Sequence, residues 1–301
     1  MNEIISLSAK NLRRQANSGL GFQLGPFNIL LKTSIEEVTQ HVQRLYAAYP
    51  LTKDHDFIDF YVDLSTPSII RRYIKPQVNF YFDGYAPFKP LPYIQAAAMF
   101  EWGLNWCIAN HSNQYLIIHA AVVERNGQAF IFPGTPGSGK STLCAALINS
   151  GWRLLSDEMT LLSMADGQIY PVPRPVSLKN QSIDIIRNFA PNALYGQTVK
   201  DTAKGTVGHM AAPERSVHLS NTPALPSKLI FPKYIANAET QLIAFSKGRA
   251  MLSAAENSFN YNVLGAKGFE SMGELIGRCD CYEFKYSQLE EAISLFTQMS
   301  S

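Results

Sequence analysis

Gly134-Thr135-Pro136-Gly137-Ser138-Gly139-Lys140-Ser141-Thr142 satisfies G-x-x-x-x-G-K-[ST] in full, the pattern of a phosphate-binding loop. Glycines let such a loop fold back with its N–H groups pointing inward, forming a nest for the β-phosphate at the positive end of the following helix. Lys140 would supply a point charge to the β- and γ-oxygens, and the Ser141 hydroxyl would ligate Mg²⁺. Asp157 ends the next short apolar segment, where a Walker B carboxylate approaches the metal, and Glu158 follows it directly. Adjacent residues on a strand face opposite ways, so one acid would meet Mg²⁺ while the other faces the core or a basic partner. Asp157 is the better candidate for chemistry.

Other residues invite chemistry more weakly. His119 falls in the apolar run Leu116-Ile117-Ile118-His119-Ala120-Ala121, where a lone histidine is more often a satisfied core residue than a functional one. Arg174 and Lys179 flank a proline-stiffened turn, where a clamp on the γ-phosphate or the acceptor and a plain surface role are equal alternatives. The segment from Gly196 to His209 carries Lys200, Asp201, Lys204 and His209 among glycines and threonines, a composition suited equally to a mobile lid over phosphates and to an ordinary solvated loop. Cys279-Asp280-Cys281 has no further ligands at metal spacing and reads as two buried small hydrophobes. The aromatic stretch from Phe80 to Tyr85 reads as core.

These residues need strands and helices to hold them. Tyr115 to Glu124 and Gln128 to Phe132 read as strands joined by a hairpin at Asn126-Gly127, and the second runs straight into the loop. Leu143, Cys144, Leu147 and Ile148 repeat at helical spacing until Ser150-Gly151. Arg153-Leu154-Leu155 is a short strand delivering Asp157. Further strands are expected at Lys228 to Phe231 and Cys281 to Tyr286, and helices at Phe269 to Ile276 and after Ser287-Gln288-Leu289-Glu290. Before residue 112 the pattern predicts a strand pair around Gly25-Pro26, and a capping box Thr33-Ser34-Ile35-Glu36 opening a helix to about Ala48. It also predicts a strand at Phe57 to Leu64, one or two strands within Arg71 to Phe82, and an apolar helix in Leu91 to Ala109. That helix holds Gln95, Glu101 and Asn105, which argues against a bilayer span. A soft boundary near residue 112 divides an α+β region, 1–112, suited to acceptor recognition, from a P-loop kinase-like catalytic domain, 113–301.

With 301 residues, 46% of them hydrophobic and only 17% charged, the chain is neither disordered nor a coiled coil. Its 26 basic and 24 acidic side chains leave a formal charge of +2, too little for a nucleic-acid partner, so any phosphate must be met locally. The first residues lack a signal-peptide core, and four cysteines are too few for a disulfide scaffold. A cytoplasmic protein with reduced thiols and no membrane partner is the expectation.

From about residue 115 to 290 the chain resembles the bacterial HPr serine kinase/phosphorylase family, and more nearly its HPr kinase-related members. The resemblance is carried by His119, the loop from Gly134 to Ser141, and Arg153-Leu154-Leu155-Ser156-Asp157-Glu158. Arg174-Pro175-Val176-Ser177-Leu178-Lys179-Asn180 and Asp201-Thr202-Ala203-Lys204-Gly205-Thr206-Val207 add to it. It implies an α/β fold with a P-loop kinase core and mixed sheet, of the kind shared with phosphoenolpyruvate carboxykinase. It implies Asp157 as general base on a serine hydroxyl, His119 tuning that carboxylate, and Lys140 acting on the phosphates of ATP. Ser141, Asp157 and Glu158 would hold Mg²⁺, with Arg174, Lys179 and Lys204 beside the nucleotide. Glu158 stands where those kinases have a second aspartate, and their later Glu-x-Arg-Gly motif has no counterpart. The expected activity is ATP- and Mg²⁺-dependent phosphorylation of a hydroxyl on a peptide or small protein, in a chain free to form a homo-oligomer. A nucleotide-binding switch or scaffold without transfer, and a small-molecule kinase, use the same loop and remain the alternatives.

Overall fold

The computed structural model describes residues 2–68 and 70–300; Met1, Ile69 and Ser301, which the two expected regions include, lie outside the described residues. The protein is a mixed α/β fold with several sheets. Its first part runs α1 (Ala9–Ser18), β1 (Leu20–Leu24), β2 (Phe27–Thr33), α2 (Glu36–Leu45), β3 (Phe60–Ser65), α3 (Ile70–Tyr73), β4 (Gln77–Phe82), β5 (Leu91–Pro92) and α4 (Ala96–His111). The five strands form one sheet in chain order. Gly25 takes φ +58° in the β1–β2 turn, as the Gly-Pro pair predicts.

One local expectation is corrected. Thr33 does not cap α2: its hydroxyl donates to the Leu64 carbonyl and accepts from the Ile35 N–H, and the cap position has no side-chain bond. Within Arg71 to Phe82 one strand forms, β4, as expected; the residues before it close the short helix α3, and the chain turns where Lys75 takes a positive φ ahead of Pro76. In the Phe80–Tyr85 stretch, Phe80 and Phe82 are buried while Tyr85 is about half exposed.

The second part runs β6 (Tyr115–Ile118), β7 (Ala120–Arg125), β8 (Gln128–Pro133), α5 (Lys140–Asn149), β9 (Arg153–Ser156), β10 (Thr160–Ser163), β11 (Ile169–Tyr170), β12 (Val176–Lys179) and α6 (Gln181–Phe189). It continues with β13 (Val199–Thr202), β14 (Gly205–Met210), α7 (Glu214–His218), β15 (Leu225–Tyr234), β16 (Gln241–Ala244), α8 (Lys247–Glu256), α9 (Tyr261–Leu264), α10 (Ala266–Arg278), β17 (Asp280–Tyr286) and α11 (Leu289–Met299). Six strands make the main sheet, ordered β16-β17-β15-β8-β7-β9. Alternation gives it two buried faces. Ala121, Val123, Phe130 and Phe132 pack with α5 and α11, while Ala120, Val122, Ala129 and Ile131 pack with α8 and α10. No helix among the described residues is long and apolar enough to cross a membrane.

The expected strand from Tyr115 to Glu124 is two strands in different sheets. β6 pairs with β10 and β7 with β8 and β9, so the chain changes sheets at His119, which therefore lies between strands rather than within one. The expected lid is also more ordered than a loop. β13 and β14 form a hairpin that pairs with β12 from Val176↔Met210 to Lys179↔Val207. Its turn at Ala203-Lys204 is free of ladder pairing, and the register shifts between Val199 and Thr202.

Candidate phosphate-binding and catalytic site

Strand directions assemble the site. β8 and β9 both run antiparallel to β7, while β15 runs parallel to β8 and β17 parallel to β15. The carboxyl ends of β8, β9, β15 and β17 and the amino end of β7 therefore converge on one edge. That edge carries the glycine-rich loop after β8, Asp157 after β9, Tyr234 and Tyr286 at the ends of β15 and β17, and His119 before β7. Carboxyl edges of α/β sheets are where ligands bind, and here they open on a cleft of about 1490 Å³.

The loop has the backbone its sequence requires. Gly134, Gly137 and Gly139 take φ of +154°, +87° and +94°, values that L side chains rarely adopt. Gly139 stands at the N-terminus of α5. A Cβ there would meet the Tyr286 hydroxyl well inside contact distance and Tyr234 Cβ at 3.2 Å. Both tyrosines are fastened to the loop: the Tyr286 hydroxyl donates to the Gly139 carbonyl at 3.1 Å and the Tyr234 N–H to the Ser138 carbonyl at 3.1 Å. Lys140 is buried, its Nζ donating to the carbonyls of Gly134 and, at 3.1 Å, Thr135. Burial pushes its ammonium down to about 8, against the pull of Asp157. Pro136, Ser141 and Thr142 line the same cleft.

Asp157 is 4% exposed. Its Oδ2 accepts from the Ser177 N–H at 3.0 Å, and its Oδ1 is buried without a hydrogen-bond partner. Burial first, then the charge of Glu158, raises the carboxyl to about 7, against the Ser177 N–H, the neighbouring Ser141 hydroxyl and Lys179. Glu158 differs in kind: it accepts from Asn105 Nδ2 and lies 3.7 Å from Lys179 Nζ. Burial would raise it, but Lys179, Lys204, Arg174 and His119 outweigh that and keep it low. The two adjacent acids thus have opposite protonation tendencies. His119 reaches the Glu158 backbone carbonyl through Nδ1 at 3.1 Å and packs edge-on to Phe259. The Asp157 carboxylate is its expected partner; the contact made is to the main chain one residue later.

Arg174 is not a phosphate clamp. Arg174 is 7% exposed, and both terminal nitrogens of its guanidinium are engaged, with the Glu101 carboxylate and carbonyl and with Asn105 Oδ1. Glu101 also accepts from the Tyr46 hydroxyl at 2.9 Å and meets His41 Nε2 at 2.7 Å. His209, expected in a lid, is buried with its ring 5.5 Å from that of His41, and burial drives its pKa down to about 4. Lys179 and Lys204 do line the cleft, Lys204 Nζ standing 5.7 Å over the Trp102 ring. Cys279 and Cys281 are buried free thiols, as their spacing suggests. Sequence reasoning misses Ser177, Asn105, Tyr234 and Tyr286, which reach the site only through tertiary packing.

No group of three or more metal-type side chains occurs among the described residues. Mg²⁺ does not need one, since it takes one or two carboxylates and otherwise phosphates and water. Ser141 and the carboxylates of Asp157 and Glu158, which line the same cleft, fit that demand.

A family model described as "SynChlorMet cassette protein ScmC" matches residues 97–179. The match covers well under half of the chain, from α4 through β12, and takes in His119, the whole loop, Asp157, Glu158, Arg174 and Lys179, leaving out Lys204. No curated protein matches the chain. The family expectation is thereby corrected: the matching model is that of ScmC and not an HPr kinase family. Roles assigned through that resemblance stand or fall on the geometry alone.

Proposed function

We propose that this protein transfers the γ-phosphoryl group of ATP to a hydroxyl acceptor, with Mg²⁺, and that Asp157 is the general base. The observation carrying this reading is Asp157 itself: a buried carboxylate raised to about 7, with one oxygen partnerless, in the same cleft as Lys140 and Ser141. A base whose pKa lies near the working pH is half available and still strong enough to take a hydroxyl proton.

The strand-loop-helix unit of β8 and α5, with the carboxylate on β9, supports the finer reading of a P-loop kinase core. The loop N–H groups and Lys140 would bind the phosphates, and Ser141 with a carboxylate oxygen of Glu158 would hold Mg²⁺, leaving Asp157 Oδ1 for the acceptor; the metal, when bound, would neutralise charge on the transferring group. The acceptor oxygen gives its proton to Asp157 Oδ1 as it bonds to the γ-phosphorus. The bond from that phosphorus to the bridging oxygen breaks, leaving its electron pair on ADP. The Ser177 N–H holds the other oxygen of Asp157 and so fixes its direction. Pockets for a single small ligand commonly measure roughly 300–1,000 Å³; about 1490 Å³ leaves room for an acceptor beside the nucleotide.

The matching family model is named for a cassette, so products of neighbouring genes are the first acceptors to try. Incubating each with the protein, ATP and Mg²⁺ should add one phosphate to a hydroxyl residue, read by mass spectrometry. ATP binding without transfer to any of them would favour a nucleotide switch instead.

A further inference from the structure

We infer that Tyr234 is the stacking platform for the base of the nucleotide, with the amide of Gln288 at the base edge. This rests on the ATP reading above. The cleft is unequal at its two ends. Asp157, Glu158, Lys179 and Lys204 gather the charge at one end, towards α4 and α6. On the opposite side of β8 in the sheet, at the ends of β15 and β17, the lining residues are Tyr234, Tyr286, Ser287, Gln288 and Leu289, uncharged up to Glu290. A triphosphate held in the loop has its charged end drawn towards the lysines, which leaves the nucleoside to lie along the uncharged wall.

Tyr234 is built to receive it. The residue is 48% exposed although its backbone is pinned to the loop through the Ser138 carbonyl. Edge-on packing against Tyr286, centroids 5.8 Å apart at 74°, sets its plane. Tyr286 is in turn stacked on buried Phe284 at 5.1 Å and 11° and tied to the Gly139 carbonyl. The platform is therefore rigid and registered to the loop by two hydrogen bonds, so the cost of ordering it does not fall on binding. Flat heteroaromatic rings stack on such a face whatever their edge pattern. Gln288 is exposed at the same wall, and its amide offers both a donor and an acceptor, the pair that an adenine edge takes.

Calorimetry with two probes, ATP and inorganic tripolyphosphate, each with Mg²⁺, tests this. Tyr234→Ala should weaken ATP by roughly 5- to 100-fold, the range for loss of one base–aromatic stack, and leave tripolyphosphate unchanged. Tyr234→Phe keeps the ring and should bind ATP as the wild type does. Equal losses for both probes in Tyr234→Ala, or none for ATP, would overturn the platform. Failure of the underlying reading looks different: the wild type would then bind neither probe, and Lys140→Ala would change nothing.

Discussion

Arg174 and Glu101 form an ion pair across 73 residues of sequence, with side-chain exposures of only 9% and 3%. Burial would raise the Glu101 carboxyl, but Arg174 and the His41 hydrogen bond hold it well below the usual carboxylate range. The pair joins α4 to the segment before β12, and Arg174 also holds Asn105, which holds Glu158. Breaking one side of a buried pair strands the other charge and costs about 3–5 kcal/mol. Glu101→Gln should lose that much in urea unfolding. A loss under about 1 kcal/mol, the size of an exposed pair, would show that the network is not a structural brace.

Gly139 is the loop position with least room. Gly139→Ala adds a Cβ against Tyr286 and Tyr234 at a φ of +94°. The loop must shift, and ATP affinity should fall at least tenfold while the fold survives. Removing the Tyr286 hydroxyl in the double variant Gly139→Ala/Tyr286→Phe should restore part of it, because the nearest clash goes while the backbone strain of about 1 kcal/mol remains. Wild-type affinity in Gly139→Ala would contradict the crowding.

Asp157 sets a stability cost that depends on pH. Its carboxyl is raised from 3.8 to about 7, so between those values the folded state holds a proton that the unfolded state releases. By linkage this group lowers stability as pH rises from about 4 to about 7, and no further above that. Asp157→Asn removes the dependence. Its stability relative to wild type should increase by a few kcal/mol between about pH 4 and about pH 8, since each tenfold change in acidity is worth about 1.4 kcal/mol. A difference constant across that range would mean that Asp157 ionises freely.

The loop is legible in the sequence because its chemistry is contiguous: three glycines, Lys140 and Ser141 stand in one run between a strand and a helix, and each forms there. Asp157 is legible because β9 is short, apolar and next in the chain. The hairpin at Asn126-Gly127 follows from turn chemistry, and both residues take positive φ. Arg174 misleads because a charged side chain beside prolines looks exposed, and its partner Glu101 lies on a helix whose apolar sequence gives no sign of a buried ion pair. His119 looks like a strand residue because a change of sheet leaves no mark on an apolar run. The β13–β14 hairpin is hidden by glycines and lysines that suit a loop, while its pairing comes from distant β12. Ser177 acts through its backbone N–H, which no side-chain pattern announces.

His119 touches the Glu158 carbonyl and not the Asp157 carboxylate, so it should act on position rather than on the base. His119→Ala should slow transfer while leaving the pH midpoint near 7, where Asp157 puts it, and ATP affinity unchanged. A shift of that midpoint in the variant would restore a direct role on Asp157.

If Asp157 takes the acceptor proton in a site whose loop binds ATP, binding and transfer must separate when that carboxylate is removed. The most direct measurement pairs ATP binding with phosphate transfer in Asp157→Asn, using the wild type and Lys140→Ala as references. Lys140→Ala should lose binding. Asp157→Asn should bind ATP as the wild type does and transfer phosphate about 10²–10⁴ times more slowly, with the wild-type rate rising through about pH 7. Transfer at the wild-type rate in Asp157→Asn would contradict the assignment.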